Sequence, residues 1–396
     1  MPYNILVVDD EPDLELMMKQ KFRKQIKADE LHFKFACNGV DALNQLSTDG
    51  DVDLILTDIN MPEMDGLTLL LKLKEMKTIT KAVVVSAYGD MDNIRIAMNR
   101  GAFDFLTKPL DFTDLDVTMT KTFEELQQVK QAILFKNQLL TIQKELDIAW
   151  DIQQSMLPPA FKPSSVNDKI ELIAAMKPAK EVGGDLYDYF YMNSKGNSSN
   201  GKQESKLAFV LGDVSGKGVP SAMFMAMSRM LLKSTALNVG DPAECITHVN
   251  RILSVESIST MFVTLFYGIL DVNTGEVEFV NAGHNPPYII KQNGGLITLS
   301  NESQIALGVV EGYNFTSGKF KLEPCDTFFL FTDGVTEAFN KEEDLYGEKR
   351  LEEKLTEFSG NSTKDIINKV IEDVKLFSAG APQSDDITVM GLRYNK

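Results

Sequence analysis

Between residues 4 and about 120, short apolar runs alternate with amphipathic stretches: Ile5-Leu6-Val7-Val8, Leu54-Ile55-Leu56 and Ala82-Val83-Val84-Val85 are separated by segments of helical periodicity. Continuous apolar runs are strands buried on both faces, and their alternation with helices predicts a parallel sheet covered on two sides, of the doubly wound, flavodoxin-like α/β type. From 112 to 157 there is neither Gly nor Pro, and Phe135, Leu139, Ile142, Leu146, Ala149, Gln153 and Met156 recur at alternating steps of four and three. This is a heptad seam, roughly three heptads long, with one polar member. A helix packed on its own domains would fit it; a parallel dimeric coiled coil is the preferred reading, and makes the chain a homodimer. Pro158-Pro159 ends the helix, because a prolyl ring cannot continue the hydrogen-bond ladder.

A new domain is expected to begin near residue 165. From there strand-like segments dominate: Ile170 to Ala175, Leu207 to Leu211, Met261 to Leu270, Val277 to Val280, Thr327 to Phe331 and Ile387 to Leu392. Helical stretches interrupt them at Pro220 to Leu237, Pro242 to Glu256 and Thr363 to Phe377, an α+β pattern of two sheets with flanking helices. The polar segment 193–206 cannot bury apolar area and is expected to be a loop. The organisation predicted is therefore 1–120, a helical linker over 121–157, and 158–396.

At 396 residues the chain is long enough for two such domains, each with its own core. Its formal net charge of -17, from 57 acidic against 40 basic residues, and the lack of any basic cluster argue against nucleic-acid binding. No apolar stretch is of membrane-spanning length and no signal-peptide pattern follows Met1, so a cytoplasmic protein without a membrane partner is expected. Cys37, Cys245 and Cys325 are too scattered for a disulfide framework or a metal site and read as core residues.

In a parallel sheet, ligand chemistry belongs at the carboxyl ends of the strands. There stand Asp9 and Asp10 after the first run, Asp58 after Leu54-Ile55-Leu56, Ser86 after the next, and Lys108 after Phe103-Asp104-Phe105-Leu106. Gathered carboxylates repel one another, and a hard oxygen-liganded cation such as Mg²⁺ is the usual remedy. An ionised Asp can attack a phosphoryl group if a metal and an ammonium absorb the charge; Lys108 is placed to be that ammonium, and Ser86 to hydrogen-bond a phosphoryl oxygen. Val8-Asp9-Asp10-Glu11, Thr57-Asp58-Ile59-Asn60-Met61-Pro62-Glu63-Met64-Asp65-Gly66, Val85-Ser86-Ala87 and Thr107-Lys108-Pro109 resemble the response-regulator receiver domain. The resemblance implies Asp58 as phospho-acceptor and Mg²⁺ bound by Asp10, Asp58 and the Asn60 carbonyl, with Asp9 supporting the pocket. It further implies that Ser86 and Lys108 sense the phosphoryl group, that Phe105 is an aromatic switch, and that a sensor histidine kinase is the upstream partner.

The second half carries Gly183-Gly184-Asp185, Leu211-Gly212-Asp213-Val214-Ser215-Gly216-Lys217-Gly218, Phe331-Thr332-Asp333-Gly334 and Ser384-Asp385-Asp386-Ile387-Thr388. Gly beside Asp allows tight turns, so carboxylates from several strands can converge, and without His or Cys they favour Mg²⁺ or Mn²⁺ over Zn²⁺. Two such ions can activate a bridging water, so no protein nucleophile is needed. These motifs resemble the SpoIIE-like branch of the metal-dependent type 2C (PPM) protein phosphatases. The resemblance implies that Asp213 bridges two metals and is catalytic, that the Val214 carbonyl holds one, and that Asp333 and Asp385 hold the other. Asp185 is implied as a further site carboxylate and Asp386 as a neighbour of the ligand Asp385. The family's substrate-gripping Arg has no counterpart identified here.

His284, in Asn281-Ala282-Gly283-His284-Asn285-Pro286-Pro287, reads as a structural turn residue rather than a catalytic one, and Met223, Met225, Met227 and Met230 as plastic core packing, with a substrate or dimer surface as the alternative. The joint expectation is a two-component response regulator whose phosphorylation enhances a protein serine/threonine phosphatase. By resemblance its substrate is a phosphorylated anti-sigma-factor antagonist in a partner-switching pathway. A phosphorylation-gated adaptor is the alternative, weakened by the presence of every metal carboxylate; a nucleotide phosphohydrolase would need a Gly-rich phosphate loop that is absent from the sequence.

Overall fold

The computed structural model describes residues 2–48, 51–76, 78–87, 90–161, 169–192, 206–256, 261–300 and 304–395. The chain divides into two compact units, Met1–Ile142 and Gln143–Lys396. Nearly all of the segment expected as a polar loop, 193–206, lies outside the described residues.

In the first unit the order is β1 (Tyr3–Val8), α1 (Asp13–Lys21), α2 (Arg23–Lys27), β2 (Leu31–Ala36), α3 (Gly39–Thr48), β3 (Leu54–Asp58), α4 (Gly66–Met76), β4 (Lys81–Ala87), α5 (Met91–Arg100) and β5 (Asp104–Lys108), followed by the start of α6 (Phe112–Met156). The strands form one parallel sheet in the order β2-β1-β3-β4-β5. The apolar runs are continuous because both faces are covered: Leu6 and Val8 pack with Ile55 and Val84 in one core, Ile5 and Val7 with Leu54 and Val83 in the other. Leu115, Met119 and Leu126 of α6 are buried in this unit.

The 45 residues of α6 match the stretch without Gly or Pro. Its seam is not uniform. Phe135, Leu139 and Ile142 are each more than half exposed, whereas Leu146, Ala149 and Met156 are partly covered and Gln153 is buried.

The second unit continues with β6 (Ile170–Lys177), β7 (Leu186–Tyr191), β8 (Lys206–Val214), α7 (Val219–Ala236), α8 (Pro242–Glu256), β9 (Val263–Asp271), β10 (Glu276–Ala282), β11 (Tyr288–Ile290), β12 (Leu296–Thr298), β13 (Gly318–Lys321), β14 (Thr327–Phe331), α9 (Asp333–Thr336), α10 (Gly347–Glu357), α11 (Thr363–Phe377) and β15 (Ile387–Tyr394). Two antiparallel sheets, β13-β10-β9-β8-β7 and β12-β11-β14-β15-β6, enclose a core of Phe209, Phe266, Phe279 and Phe328 with Leu211, Leu330 and Leu392. Strand alternation sends Ala208 and Val210 to the outer face, against Met225, Leu232, Ile246 and Leu253 of α7 and α8. Residues of α10 and α11, such as Leu351, Leu355, Ile366 and Val370, cover the other sheet. The α11 start is capped by Ser362, whose Oγ accepts the Asp365 N–H at 3.1 Å.

Of the four methionines read as core packing, only Met225 is buried. Met223, Met227 and Met230 are exposed, because steps of four and three place them on the α7 face opposite the sheet. Among the described residues no helix is long and apolar enough to cross a membrane.

Candidate functional sites

The receiver-type centre lies at the carboxyl edge of the parallel sheet. Asp58 ends β3 and Lys108 ends β5, while Asp9 and Asp10 follow β1. Ligand oxygens of Asp9, Asp10 and Asp58 lie within 4.8 Å of one another, a compact all-oxygen set that fits a hard divalent cation. Lys108 Nζ stands 2.8 Å from Asp58, 3.1 Å from Asp9 and 3.0 Å from Glu11. Burial alone would lower its pKa, but hydrogen bonds to Asp58, Glu11 and Asp9 outweigh that and raise it, so the ammonium is permanent. Burial also raises the pKa of Asp9. Glu11, visible in the sequence only as a flanking charge, is the acidic partner that sequence reading missed.

The turn after β3 is fixed by Gly66, whose N–H bonds the Ile59 carbonyl at 3.0 Å; a Cβ there would sit 2.1 Å from the Asp58 carbonyl oxygen. The Asn60 N–H reaches Asp58 Oδ1 at 3.3 Å. Ser86 is fully buried inside β4, and its hydroxyl bonds Asp90 at 3.4 Å. Phe105 is partly exposed on β5.

The second centre is assembled from four segments. Asp213 lies within β8 rather than after it, Asp333 opens α9 directly behind β14, Asp385 precedes β15, and Asp185 precedes β7. Asp185 is 1% exposed, and its Oδ2 accepts hydroxyls from Thr332, at 2.8 Å, and Thr388. Burial, then the charges of Asp213 and Asp386, hold its pKa well above the carboxylate range. Asp213 is pushed up to about 7 by burial and then by Asp333 and Asp385. Asp333 is pushed up to about 6 by burial, Glu337 and Asp385.

These mutual effects show the carboxylates converging. Among the described residues, though, only Asp9, Asp10 and Asp58 form a trio with one ligand oxygen from each within 4.8 Å of the others. The donors fit hard cations: they are all oxygen, and Asp333 Oδ1 is buried without a hydrogen-bond partner.

Asp386 points elsewhere. Its carboxylate accepts the N–H groups of Ala179 at 2.7 Å, Gly184 at 2.5 Å and Asp185 at 3.4 Å, tying the 183–185 turn to the start of β15. A Cβ at Gly183 would lie 2.5 Å from Asp386 Oδ2, and one at Gly334 only 1.9 Å from the Asp386 carbonyl oxygen. Both turns therefore require Gly. The Val214 carbonyl approaches the same place, about where a Gly184 Cβ would stand, 3.0 Å from it.

Lys217 is a cation against the acidic set, with Nζ 2.9 Å from Asp385 and donating to the Ser384 carbonyl. Sequence reading passed over it as part of a Gly-rich turn. His284 is buried at the end of β10, where its N–H and carbonyl are both bonded by the Asn281 carboxamide, at 2.8 and 3.0 Å, and Nδ1 lies 3.2 Å from Thr264 Oγ1. Burial lowers its pKa to about 4, so the ring is neutral.

The chain carries a carboxylate-and-lysine pocket at the edge of a parallel sheet and an all-carboxylate centre among antiparallel strands, the two-domain architecture of a signal-transduction protein. The family described as Response regulator receiver domain matches residues 5–120, and Stage II sporulation protein E (SpoIIE) matches residues 203–395; the chain thus joins a receiver domain to a SpoIIE-type domain. Protein IcfG of Synechocystis sp. is 30% identical over 304 residues, covering 66% of this chain; the chain spans only 45% of that protein's length. Phosphoserine phosphatase RsbU of Bacillus subtilis is 26% identical over 259 residues, 64% of this chain and 70% of that protein. The SiaA-PP2C domain of Pseudomonas aeruginosa shares the fold, with a TM-score of 0.54 at 22% identity, over 65% of this chain and 98% of that one.

Proposed function

We propose that the chain is a response regulator in which phosphorylation of Asp58 by a sensor histidine kinase controls a metal-dependent protein serine/threonine phosphatase. The observation that carries this reading is the convergence of Asp185, Asp213, Asp333 and Asp385 from four segments, with the carboxyls of Asp185, Asp213 and Asp333 raised by burial and mutual repulsion. Asp213, Asp333, Asp385 and the Val214 carbonyl would hold two Mg²⁺ or Mn²⁺ ions, with Asp185 in the same centre, and the ions supply an activated water and neutralise phosphoryl oxygens. Asp386 serves this centre from behind, as the acceptor that holds the 183–185 turn.

In the receiver, Asp9, Asp10, Asp58 and the Asn60 carbonyl would hold Mg²⁺. Lys108, already ion-paired with Asp58, balances the negative charge that an acyl phosphate adds there. Ser86, now bonded to Asp90, would donate its hydroxyl to a phosphoryl oxygen on Asp58. Kinship with a phosphoserine phosphatase, RsbU, supports a phosphorylated protein substrate, of the anti-sigma-factor-antagonist type in a partner-switching pathway. The exposed seam residues Phe135, Leu139 and Ile142 support a homodimer paired along α6.

The test is hydrolysis of a generic phosphoester by the full chain with Mn²⁺, comparing wild type, Asp213→Asn and beryllofluoride-treated protein. Expected is metal-dependent turnover that Asp213→Asn abolishes and beryllofluoride raises. Absence of turnover from folded protein under all conditions would replace the enzyme with a docking adaptor.

A further inference from the structure

Gln153 is the polar member of the α6 seam, and it is buried, 4% exposed. Its carboxamide makes two hydrogen bonds to one residue: Nε2 donates to the Gly183 carbonyl at 2.7 Å, and the Gly183 N–H donates to Oε1 at 3.1 Å. A carboxamide offers an uncharged donor and acceptor side by side in one plane at any pH, so the side chain pairs with this backbone as a neighbouring strand would.

What it pairs with gives the contact its meaning. Gly183 and Gly184 directly precede Asp185, and two consecutive glycines have the widest backbone freedom any dipeptide can have. Left untied, they would leave Asp185 to the Thr332 and Thr388 hydroxyls on its carboxylate and the Asp386 contact on its N–H, with no support from the backbone before it. Gly184 is tied through its N–H to Asp386, and Gly183 is tied through both backbone groups to Gln153.

We infer that Gln153 is a positioning residue for the acidic centre: from the last turn of α6 it fixes the 183–185 backbone and, through it, Asp185 beside Asp213. This rests on the reading of that centre as a metal-dependent phosphatase and adds the point at which α6 touches its chemistry. The same covalent helix carries Leu115, Met119 and Leu126 in the core of the first unit. A displacement or rotation of its last turn therefore reaches Asp185 through the 183–185 backbone.

Two full-length variants test this. Gln153→Met keeps the length of the side chain and removes both hydrogen-bonding groups; Gln153→Asn keeps the groups and shortens the reach by one methylene. Mn²⁺ binding is measured by calorimetry, the Mn²⁺ dependence of phosphoester hydrolysis by steady-state kinetics, and folding by circular dichroism. Both variants are expected to fold and to bind Mn²⁺ about 10- to 100-fold more weakly, the range seen when the residues supporting metal ligands are removed. Saturating Mn²⁺ should bring kcat back close to wild type with KM for the ester unchanged, a rescue that a general packing defect would not show.

Wild-type Mn²⁺ affinity in both variants, or loss of folding in both, overturns the positioning role. If one variant unfolds, the other decides. A wild-type protein that neither binds Mn²⁺ nor hydrolyses the ester defeats the phosphatase reading itself, an outcome distinct from an active wild type with unaffected variants.

Discussion

His284 gives a pH-dependent stability that can be worked out in advance. In the unfolded chain its imidazole takes up a proton below 6.5, whereas burial holds it neutral in the folded protein until about 4. Between those values the unfolded state binds more protons, so stability rises with pH and is lost on acidification through the window from 6.5 to about 4. The gap, 6.5 minus about 4 at about 1.4 kcal/mol per pH unit, amounts to about 3 kcal/mol. Asp213 and Asp333 work in the opposite sense without metal. Their raised values, about 7 and about 6, make the folded state the better proton binder, a contribution present at low pH and lost as pH rises through those values.

The two effects separate by difference. Urea unfolding of the full chain in chelator, for wild type and His284→Asn, should give a stability difference that grows by about 3 kcal/mol from pH 4 to 6.5 in favour of wild type and is level above. A difference that stays level across the window would refute the neutral, buried imidazole. One that shrinks would mean that His284 gains a proton on folding, reopening a catalytic role for it.

Two further outcomes are expected. Gly334→Ala should abolish hydrolysis while leaving Asp58 phosphorylation by a small-molecule donor intact, since the added Cβ meets the Asp386 carbonyl oxygen at 1.9 Å in the second unit alone; retained turnover would show that this turn gives way. Arg229→Met should destabilise the second unit by about 3 kcal/mol, lowering its Tm by roughly 6–12 °C, because buried Asp188 loses its 2.8 Å cationic partner and keeps Lys233, at 3.2 Å, and the Tyr189 N–H, at 2.8 Å; an unchanged melting curve would refute this.

Much of the first unit was legible because its strands are unbroken apolar runs, and in a parallel sheet the residue after such a run is at the ligand-binding edge. Asp58 and Lys108 stand there as expected from position alone. The second unit was harder to read. β12 and β13 are three and four residues long, too short for a periodicity, and β8 runs on through Gly212 and Asp213, which composition marks as a turn. Asp386 and Asp385 are indistinguishable as neighbours; what separates their surroundings is a set of amides about 200 residues away in the chain. Gln153 could have been singled out, since a lone polar residue in an apolar seam needs a partner, but the identity of that partner is long-range information. Met223, Met227 and Met230 of α7 fall on the surface rather than in the core, the alternative for this cluster, because residue type alone does not give the helical phase.

The strand order of the second unit has a consequence for how the protein is made. β6 is the first strand of its sheet to leave the ribosome, yet among the described residues its one strand neighbour is β15, the last. Asp185 likewise waits for Thr388, and the 183–185 turn for Asp386. The receiver sheet, by contrast, has all its strands once Lys108 has emerged. A nascent chain can therefore present a complete receiver domain while its SpoIIE-type domain does not yet exist, and a polysome carries the first before it carries the second.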